Sequence, residues 1–152
     1  MKIRQLTEVG IAVKDLEAAT RLFVDLLGAE AGDMITMDHY KMRYRMCRLG
    51  KVDFELMEPI GDEGVIASFL RSKGEGLHHI AFAVQDIEEG MASLKSKGVR
   101  FVTEQPMELH GESLDKDGKK ISGVGKVTFS IPKSIAGVLF EFIEYPNNYV
   151  FP

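Results

Sequence analysis

Two stretches of the chain share one order of apolar and polar residues. Residues 8–17 read EVGIAVKDLE and residues 79–88 read HIAFAVQDIE, an offset of 71 residues from position 8 to position 79. Each stretch opens with a short apolar run that is typical of a buried strand. Because four of the ten paired positions are identical, we interpret the chain as two copies of one structural unit.

Each apolar run leads into a predicted amphipathic helix. Asp15 and Asp86 stand at the N-cap positions, where a carboxylate accepts hydrogen bonds from free backbone N–H groups. Apolar residues then recur at helical spacing. Gly28 and Gly98 are placed to end the two helices in a left-handed conformation.

Three further strands are predicted to complete each copy. They cover residues 31–36, 39–49 and 52–58 in the first copy and residues 99–104, 126–131 and 138–145 in the second. Gly50 and Lys51 form a tight turn between two of them, and Pro59 ends the first set. A short helix over 65–72 links the copies.

The pattern therefore predicts an α+β fold of two tandem βαβββ modules. We place both in one domain, residues 1–152, with modules at 5–60 and 76–146 and a linker helix within 61–75. The second module is longer because of a polar, Gly-rich insertion at 107–125. Within this insertion DKDG superficially resembles a calcium loop, but the other ligands of such a loop are missing, so it is interpreted as a turn.

Composition narrows the class of protein. The chain has 152 residues and a formal net charge of −4, so no basic excess indicates a nucleic acid or an anionic membrane as partner. A single cysteine, Cys47, forms no intrachain disulfide and favours a reducing compartment. No stretch resembles a signal peptide or a membrane span. We therefore expect a cytoplasmic protein.

Four polar residues interrupt or border apolar strands at equivalent points of the two copies: Glu8, Glu55, His79 and Glu141. A carboxylate within a strand is costly when buried without a partner, and one metal ion would compensate all four side chains together. The alternative is four separate residues on solvent-facing sides of strands. Their symmetric placement favours the shared site.

The chemistry of this set predicts one divalent metal ion. Three carboxylates and one imidazole suit cobalt, manganese, nickel or magnesium better than zinc, for which thiolates are the typical structural ligands. Four protein ligands on an octahedral ion leave two positions for a substrate with two neighbouring oxygens. The ion would act as a Lewis acid that stabilises a developing enolate.

The motifs GLHHIAF at 76–82, GVLFE at 137–141 and ELMEP at 55–59 resemble those of the vicinal oxygen chelate superfamily, which includes glyoxalase, bleomycin resistance and dioxygenase proteins. Within it the chain is most similar to the methylmalonyl-CoA epimerases, from about residue 6 to residue 146. The resemblance implies that the modules pair into a cupped mixed sheet, usually in a homodimer. It also implies that a metal binds at Glu8, Glu55, His79 and Glu141.

The resemblance further implies an isomerase that epimerises a small acyl-CoA through a metal-stabilised enolate. Glu141 and His39 would be the two catalytic groups that exchange the α-proton, with His39 near the position where the epimerases carry a glutamate. Lys133 and Ser134 match a substrate-binding segment of the epimerases, although Ile131 replaces its histidine. Glu8 stands where the epimerases have a histidine.

Two other functions remain open. A lyase similar to glyoxalase I would use the same metal, whereas a small-molecule binding or resistance protein of the same fold would need none. Glu8 in place of histidine does not decide between the two enzymes but adds weight to the binding protein. An extradiol dioxygenase needs two histidine ligands, and only His79 is available.

The other polar and aromatic side chains are less informative. We expect His78 to point away from His79 as a structural residue, because neighbours on a strand alternate faces. Lys41, Arg43 and Arg45 share one face, which either attracts an anionic CoA thioester or is simply solvated. Tyr40 and Tyr44 are expected to pack.

Overall fold

A computed structural model of the chain describes residues 1–109, 113–114, 120–121 and 124–146. The helices within these residues are α1 (Leu16–Leu27), α2 (Val65–Lys73) and α3 (Ile87–Ser96). The strands are β1 (Lys2–Ala12), β2 (Glu30–Met37), β3 (Met42–Leu49), β4 (Val52–Pro59), β5 (Gly76–Gln85), β6 (Met107–Leu109), β7 (Ser113–Leu114), β8 (Lys120–Ile121), β9 (Gly125–Phe129) and β10 (Phe140–Glu144). The DKDG segment of the predicted insertion lies outside the described residues.

The chain divides into two compact units, which we call the first unit (Thr7–His79) and the second unit (Met1–Leu6 with Ile80–Pro152). In the first, the strand order is β2-β3-β4-β1, and β1 runs parallel to β4. In the second, the order is β6-β9-β10-β5, and β5 runs parallel to β10. The other pairings within these two sets are antiparallel. Each unit therefore has the predicted order of a βαβββ module.

The two long helices begin differently. The side chain of Asp15 accepts a hydrogen bond from the N–H of Ala18 at 2.8 Å and caps α1, as predicted. Asp86 is the N-cap residue of α3, as predicted, but its backbone is left-handed (φ 55°) and its side chain does not make the expected capping hydrogen bond. Instead the carboxylate of Glu144 accepts from the N–H of Ile87 at 2.8 Å. A residue of β10 thus provides the acceptor that Asp86 does not provide.

Two predicted strands have different bounds in the structure. The strand predicted over 39–49 begins at Met42, because residues Asp38–Tyr40 form a 3₁₀ turn. The strand predicted over 99–104 is wrong: Phe101 makes only an isolated bridge, and the chain bends where the Thr103 hydroxyl donates to a backbone carbonyl two residues later. Strand β6 takes that edge position, antiparallel to β9.

In each unit a helix packs on one face of the sheet, and apolar side chains fill the space between them. Under α1 the buried cluster consists of Val13, Leu16, Ala29, Cys47 and Leu56. Under α3 it consists of Val84, Ile87, Met91, Phe101 and Phe142. Because side chains alternate along a strand, the residues between these core positions lie on the opposite face, which is the face that carries the candidate site. None of the described helices is long and apolar enough to cross a membrane.

Candidate metal centre

Glu8 and Glu55 lie on adjacent parallel strands of the first unit. In the register of β1 and β4, Glu55 stands opposite Gly10, two residues after Glu8. Positions 8 and 10 share one face of β1 because strand residues alternate. Glu55 is only 9% exposed although it is a carboxylate. Such burial is costly for a charged group unless a cation or a hydrogen-bond donor compensates it.

His79 approaches this carboxylate from β5. His79 is 4% exposed, and its Nε2 lies 3.5 Å from Oε2 of Glu55. A carboxylate oxygen of Glu8 lies within 4.8 Å of a ring nitrogen of His79. The structure thus brings together three of the four predicted ligands, all within the first unit.

Gly10 provides the space for this imidazole. A Cβ atom at position 10 would lie 2.1 Å from Cε1 and 2.3 Å from Nδ1 of His79, far inside contact distance. The His79 ring therefore packs directly on the backbone of β1. This role of Gly10 was not predicted. The only sign of it in the sequence is a glycine on the strand, two positions after Glu8.

The fourth predicted ligand, Glu141, belongs to β10 of the second unit. It is partly buried and stands opposite Ala81 on the parallel strand β5. Ala81 is the repeat counterpart of Gly10 at the offset of 71 residues. Glu141 therefore occupies in its own unit the register position that Glu55 occupies in the first.

His78 does not turn away from His79 as predicted. The Nδ1 atoms of the two imidazoles lie 3.0 Å apart, which is a hydrogen bond whose direction depends on the tautomers. Burial lowers the pKa of His78 to about 4, with smaller contributions from His79 and Lys73. The ring of Phe69 packs edge-on against His78, with centroids 5.0 Å apart.

Tyr44 adds a phenol to the same region of the first unit. Burial, reinforced by the negative charges of Glu55 and Glu8, raises the pKa of Tyr44 to about 12. The ring packs against a cluster that includes Met57 and Ile66, so the expectation that Tyr44 packs is confirmed. Its electrostatic coupling to the two carboxylates was not predicted from the sequence.

The basic residues of β3 are engaged on the helix-covered face. Arg43 pairs with Glu58, and Arg45 donates to Glu17 at 2.7 Å. The Glu58 carboxylate also accepts from the N–H of Leu16 at 3.2 Å. Arg43 and Arg45 therefore hold α1 against the sheet, and the structure gives no support to their attracting a substrate.

The remaining predicted site residues lie on connecting segments. His39 is exposed in the 3₁₀ turn between β2 and β3, with its ring edge-on to Tyr40 at 5.1 Å. Lys133 is exposed in a second 3₁₀ turn of residues Pro132–Ser134. The Ser134 hydroxyl accepts from the N–H of Arg100 at 2.9 Å and donates to the carbonyl of Ile131 at 2.7 Å, which fixes this turn.

Cys47 takes no part in this site. It is fully buried within the cluster under α1. Burial raises the pKa of its thiol, so the reactive thiolate is disfavoured. Cys47 is therefore a packing residue of β3.

Comparison with known proteins places these features in a family. The profile described as "Glyoxalase/Bleomycin resistance protein/Dioxygenase superfamily" matches residues 7–115. The chain is 34% identical over 141 residues to the ethylmalonyl-CoA/methylmalonyl-CoA epimerase of Cereibacter sphaeroides, covering 91% of this chain and 96% of that protein. It is 32% identical over 142 residues to the mitochondrial methylmalonyl-CoA epimerase of Mus musculus, covering 92% and 72%.

Solved structures show the same fold. A variant of the Streptomyces coelicolor methylmalonyl-CoA epimerase, in complex with 2-nitronate-propionyl-CoA, superimposes with a TM-score of 0.76 at 26% identity. The match covers 94% of this chain and 98% of that one. The α+β fold of two βαβββ modules and the resemblance inferred from the motifs are confirmed.

Proposed function

We propose that this chain, which belongs to the Glyoxalase/Bleomycin resistance protein/Dioxygenase superfamily, is a metal-dependent epimerase of 2-substituted malonyl-CoA thioesters. The similarity to epimerases named for methylmalonyl-CoA and ethylmalonyl-CoA supports this class of reaction. The observation that carries the proposal is the buried pair of Glu55 and His79, with Glu8 beside it. A buried carboxylate beside an imidazole is a donor set that suits a divalent ion.

The residues fit a divalent ion. Glu55 is a buried carboxylate whose desolvation a cation would offset, and the His79 ring occupies a space that Gly10 keeps clear. We assign Glu8, Glu55, His79 and Glu141 as the residues that hold the ion. Three carboxylates and one imidazole favour cobalt, manganese, nickel or magnesium.

A bound divalent ion supplies Lewis-acid stabilisation of negative charge on two neighbouring oxygens of the substrate. Epimerisation breaks one C–H bond at the carbon between the two carbonyl groups and forms it again on the opposite face. We assign Glu141 to move this proton on one face and His39 to move it on the other, since a carboxylate and an imidazole are both typical groups of general acid–base catalysis. No net proton is gained or lost.

The turn of residues Pro132–Ser134 is assigned to the substrate. Lys133 is exposed there and offers a positive charge to the free carboxylate of a malonyl thioester. The Ser134 hydroxyl already donates to the carbonyl of Ile131. Its contribution is therefore to hold the turn in place, with Lys133 as the residue that contacts the substrate.

The experiment is proton exchange at C2 of methylmalonyl-CoA in deuterated water, followed by NMR with protein stripped of metal and reloaded with Co²⁺. Wild type is expected to exchange the C2 proton and to bind one ion per chain. His79→Ala should lose both the exchange and the ion. His39→Gln should keep the ion and slow exchange by about a hundredfold or more for the epimer whose C2 proton faces position 39, since it removes the proton-transfer group of that face.

Two results would contradict the epimerase. Stoichiometric Co²⁺ binding without C2 exchange would favour the lyase similar to glyoxalase I, which a thiohemiacetal substrate then tests directly. Failure of wild type to bind any of the four candidate ions would favour a metal-free binding protein. Lys133→Ala is the matched substrate variant: it should raise KM for methylmalonyl-CoA and leave Co²⁺ binding unchanged.

A further inference from the structure

The hydrogen bond between His78 and His79 is an unusual feature of β5. Consecutive residues of a strand normally point to opposite faces, yet the Nδ1 atoms of these two rings lie 3.0 Å apart. The rings are nearly perpendicular, at 87°, with centroids 5.3 Å apart. The His78 side chain therefore reaches the edge of the His79 ring that carries Nδ1.

The His78 ring is itself held in place by α2. Phe69 packs edge-on against it at 5.0 Å between centroids. The Nζ atom of Lys73 lies 5.3 Å from the centroid of the Phe69 ring, a distance typical of a cation–π contact. The hydrogen bond thus joins two rings whose positions are fixed by packing, within one unit of the structure.

The two nitrogens of His79 face different neighbours. Nδ1 faces His78, whereas Nε2 lies 3.5 Å from Oε2 of Glu55. A neutral imidazole carries one N–H, so a proton held at Nδ1 leaves the lone pair of Nε2 available. Metal-binding histidines generally donate the N–H of the other ring nitrogen to a neighbouring acceptor, which fixes the tautomer and the ring orientation.

We propose that His78 is a positioning residue: its Nδ1 accepts the Nδ1–H of His79 and so presents Nε2 of His79 to the divalent ion. This inference rests on the proposed metal site and adds a residue to it. His78 does not touch the ion or the substrate. Its contribution is the protonation pattern and the orientation of the ring that does.

The first test measures the wild-type protein, and a variant serves only to assign its signals. Nitrogen-15 NMR of metal-free wild type at slightly alkaline pH distinguishes protonated from unprotonated ring nitrogens, and the His79 signals are identified by their loss in His79→Ala. We expect the proton of His79 at Nδ1 and an unprotonated Nε2. A proton at Nε2 would overturn the inference, because His79 would then donate toward Glu55 instead.

The second test uses a matched pair of variants. His78→Asn keeps an acceptor, the side-chain oxygen, near the position of Nδ1, whereas His78→Leu removes it. In Co²⁺ titrations His78→Leu should weaken binding by about tenfold or more. His78→Asn should recover most of that loss. Equal Co²⁺ affinity of wild type and His78→Leu would overturn the positioning role.

Far-ultraviolet circular dichroism shows whether each variant is folded, and the wild-type NMR result stands even if His78→Leu does not fold. The outcomes also separate this inference from the proposed function. Failure of wild type to bind Co²⁺ overturns the metal site and the role of His78 together. Tight Co²⁺ binding that is insensitive to position 78 overturns the role of His78 alone.

Discussion

The position of the His79 ring depends on a residue without a side chain. The ring leaves no room for one, because a Cβ at Gly10 would lie 2.1 Å from Cε1 of the imidazole. Contacts this short are relieved only by moving one of the groups. Since Gly10 belongs to the backbone of β1, which is paired with β4, the imidazole is the group that moves.

We therefore expect Gly10→Ala to weaken Co²⁺ binding by about tenfold or more, equivalent to about 1.4 kcal/mol, as measured by calorimetric titration. Gly32→Ala is the control, because a Cβ there would meet only the carbonyl of Met46 at 3.5 Å. It should bind Co²⁺ as wild type does. Unchanged affinity in Gly10→Ala would show that the His79 ring does not need this space.

The residues of the candidate site differ in how far the sequence predicts them. Glu55 and His79 were identifiable because a polar residue in an apolar strand needs compensation, and the structure places them 3.5 Å apart. The contact of His78 with His79 was not, because strand alternation predicts opposite faces. The link between Tyr44 and the carboxylates depends on the pairing of three strands, which the pattern of one strand does not contain.

The starts of α1 and α3 provide a comparison within one chain. Asp15 caps α1 with its own carboxylate, whereas its repeat counterpart Asp86 does not, and Glu144 takes over that role for α3. The same residue type at equivalent positions therefore has different energetic roles. The two backbones differ as well, because Asp86 is left-handed with φ 55° whereas Asp15 is extended with φ −137°.

We expect Asp15→Ala to lower the free energy of unfolding by about 1 kcal/mol, the usual cost of losing an N-cap. Asp86→Gly should not lower it, because glycine adopts the left-handed conformation without a steric penalty and Ile87 keeps its acceptor. Urea unfolding followed by circular dichroism measures both values. An equal loss in the two variants would mean that Asp86 caps α3 in solution.

Elements with strong local signals were predictable, and those defined by distant pairing were not. The helices and the strands on either side of Gly50 follow from apolar spacing and turn chemistry. The edge strand of the second unit does not, since residues 99–104 have a suitable composition but bend at Thr103. Strand β6 follows this bend and pairs with the edge of β9 in their place.

The repeat explains why the βαβββ order of each unit was predictable from the sequence. The offset of 71 residues relates Glu8 to His79 and Gly10 to Ala81. The structure shows that the partner strands obey the same relation, because Glu55 stands opposite Gly10 and Glu141 stands opposite Ala81. The two copies of the module thus place Glu55 and Glu141 at equivalent register positions, each within its own unit.

Cys47, the only cysteine of the sequence, can be used to follow local unfolding of the first unit, which contains Glu8, Glu55 and His79. Cys47 is fully buried on β3 and pairs in register with Phe54, next to Glu55. A thiol reagent such as DTNB reaches it only when the first unit opens. Labelling should therefore be slow in the native protein and fast in urea.

Metal binding should slow this labelling further if Glu8, Glu55 and His79 hold the ion in the closed unit. At a free Mn²⁺ concentration 100 times Kd, mass action stabilises the closed form by about 2.7 kcal/mol and slows labelling by about a hundredfold. Mn²⁺ is chosen because it prefers oxygen ligands to thiolates. His79→Ala should label at a rate that Mn²⁺ does not change. If Mn²⁺ slowed the labelling of His79→Ala as much as that of wild type, the ion would bind without His79. The proposed site would then be wrong.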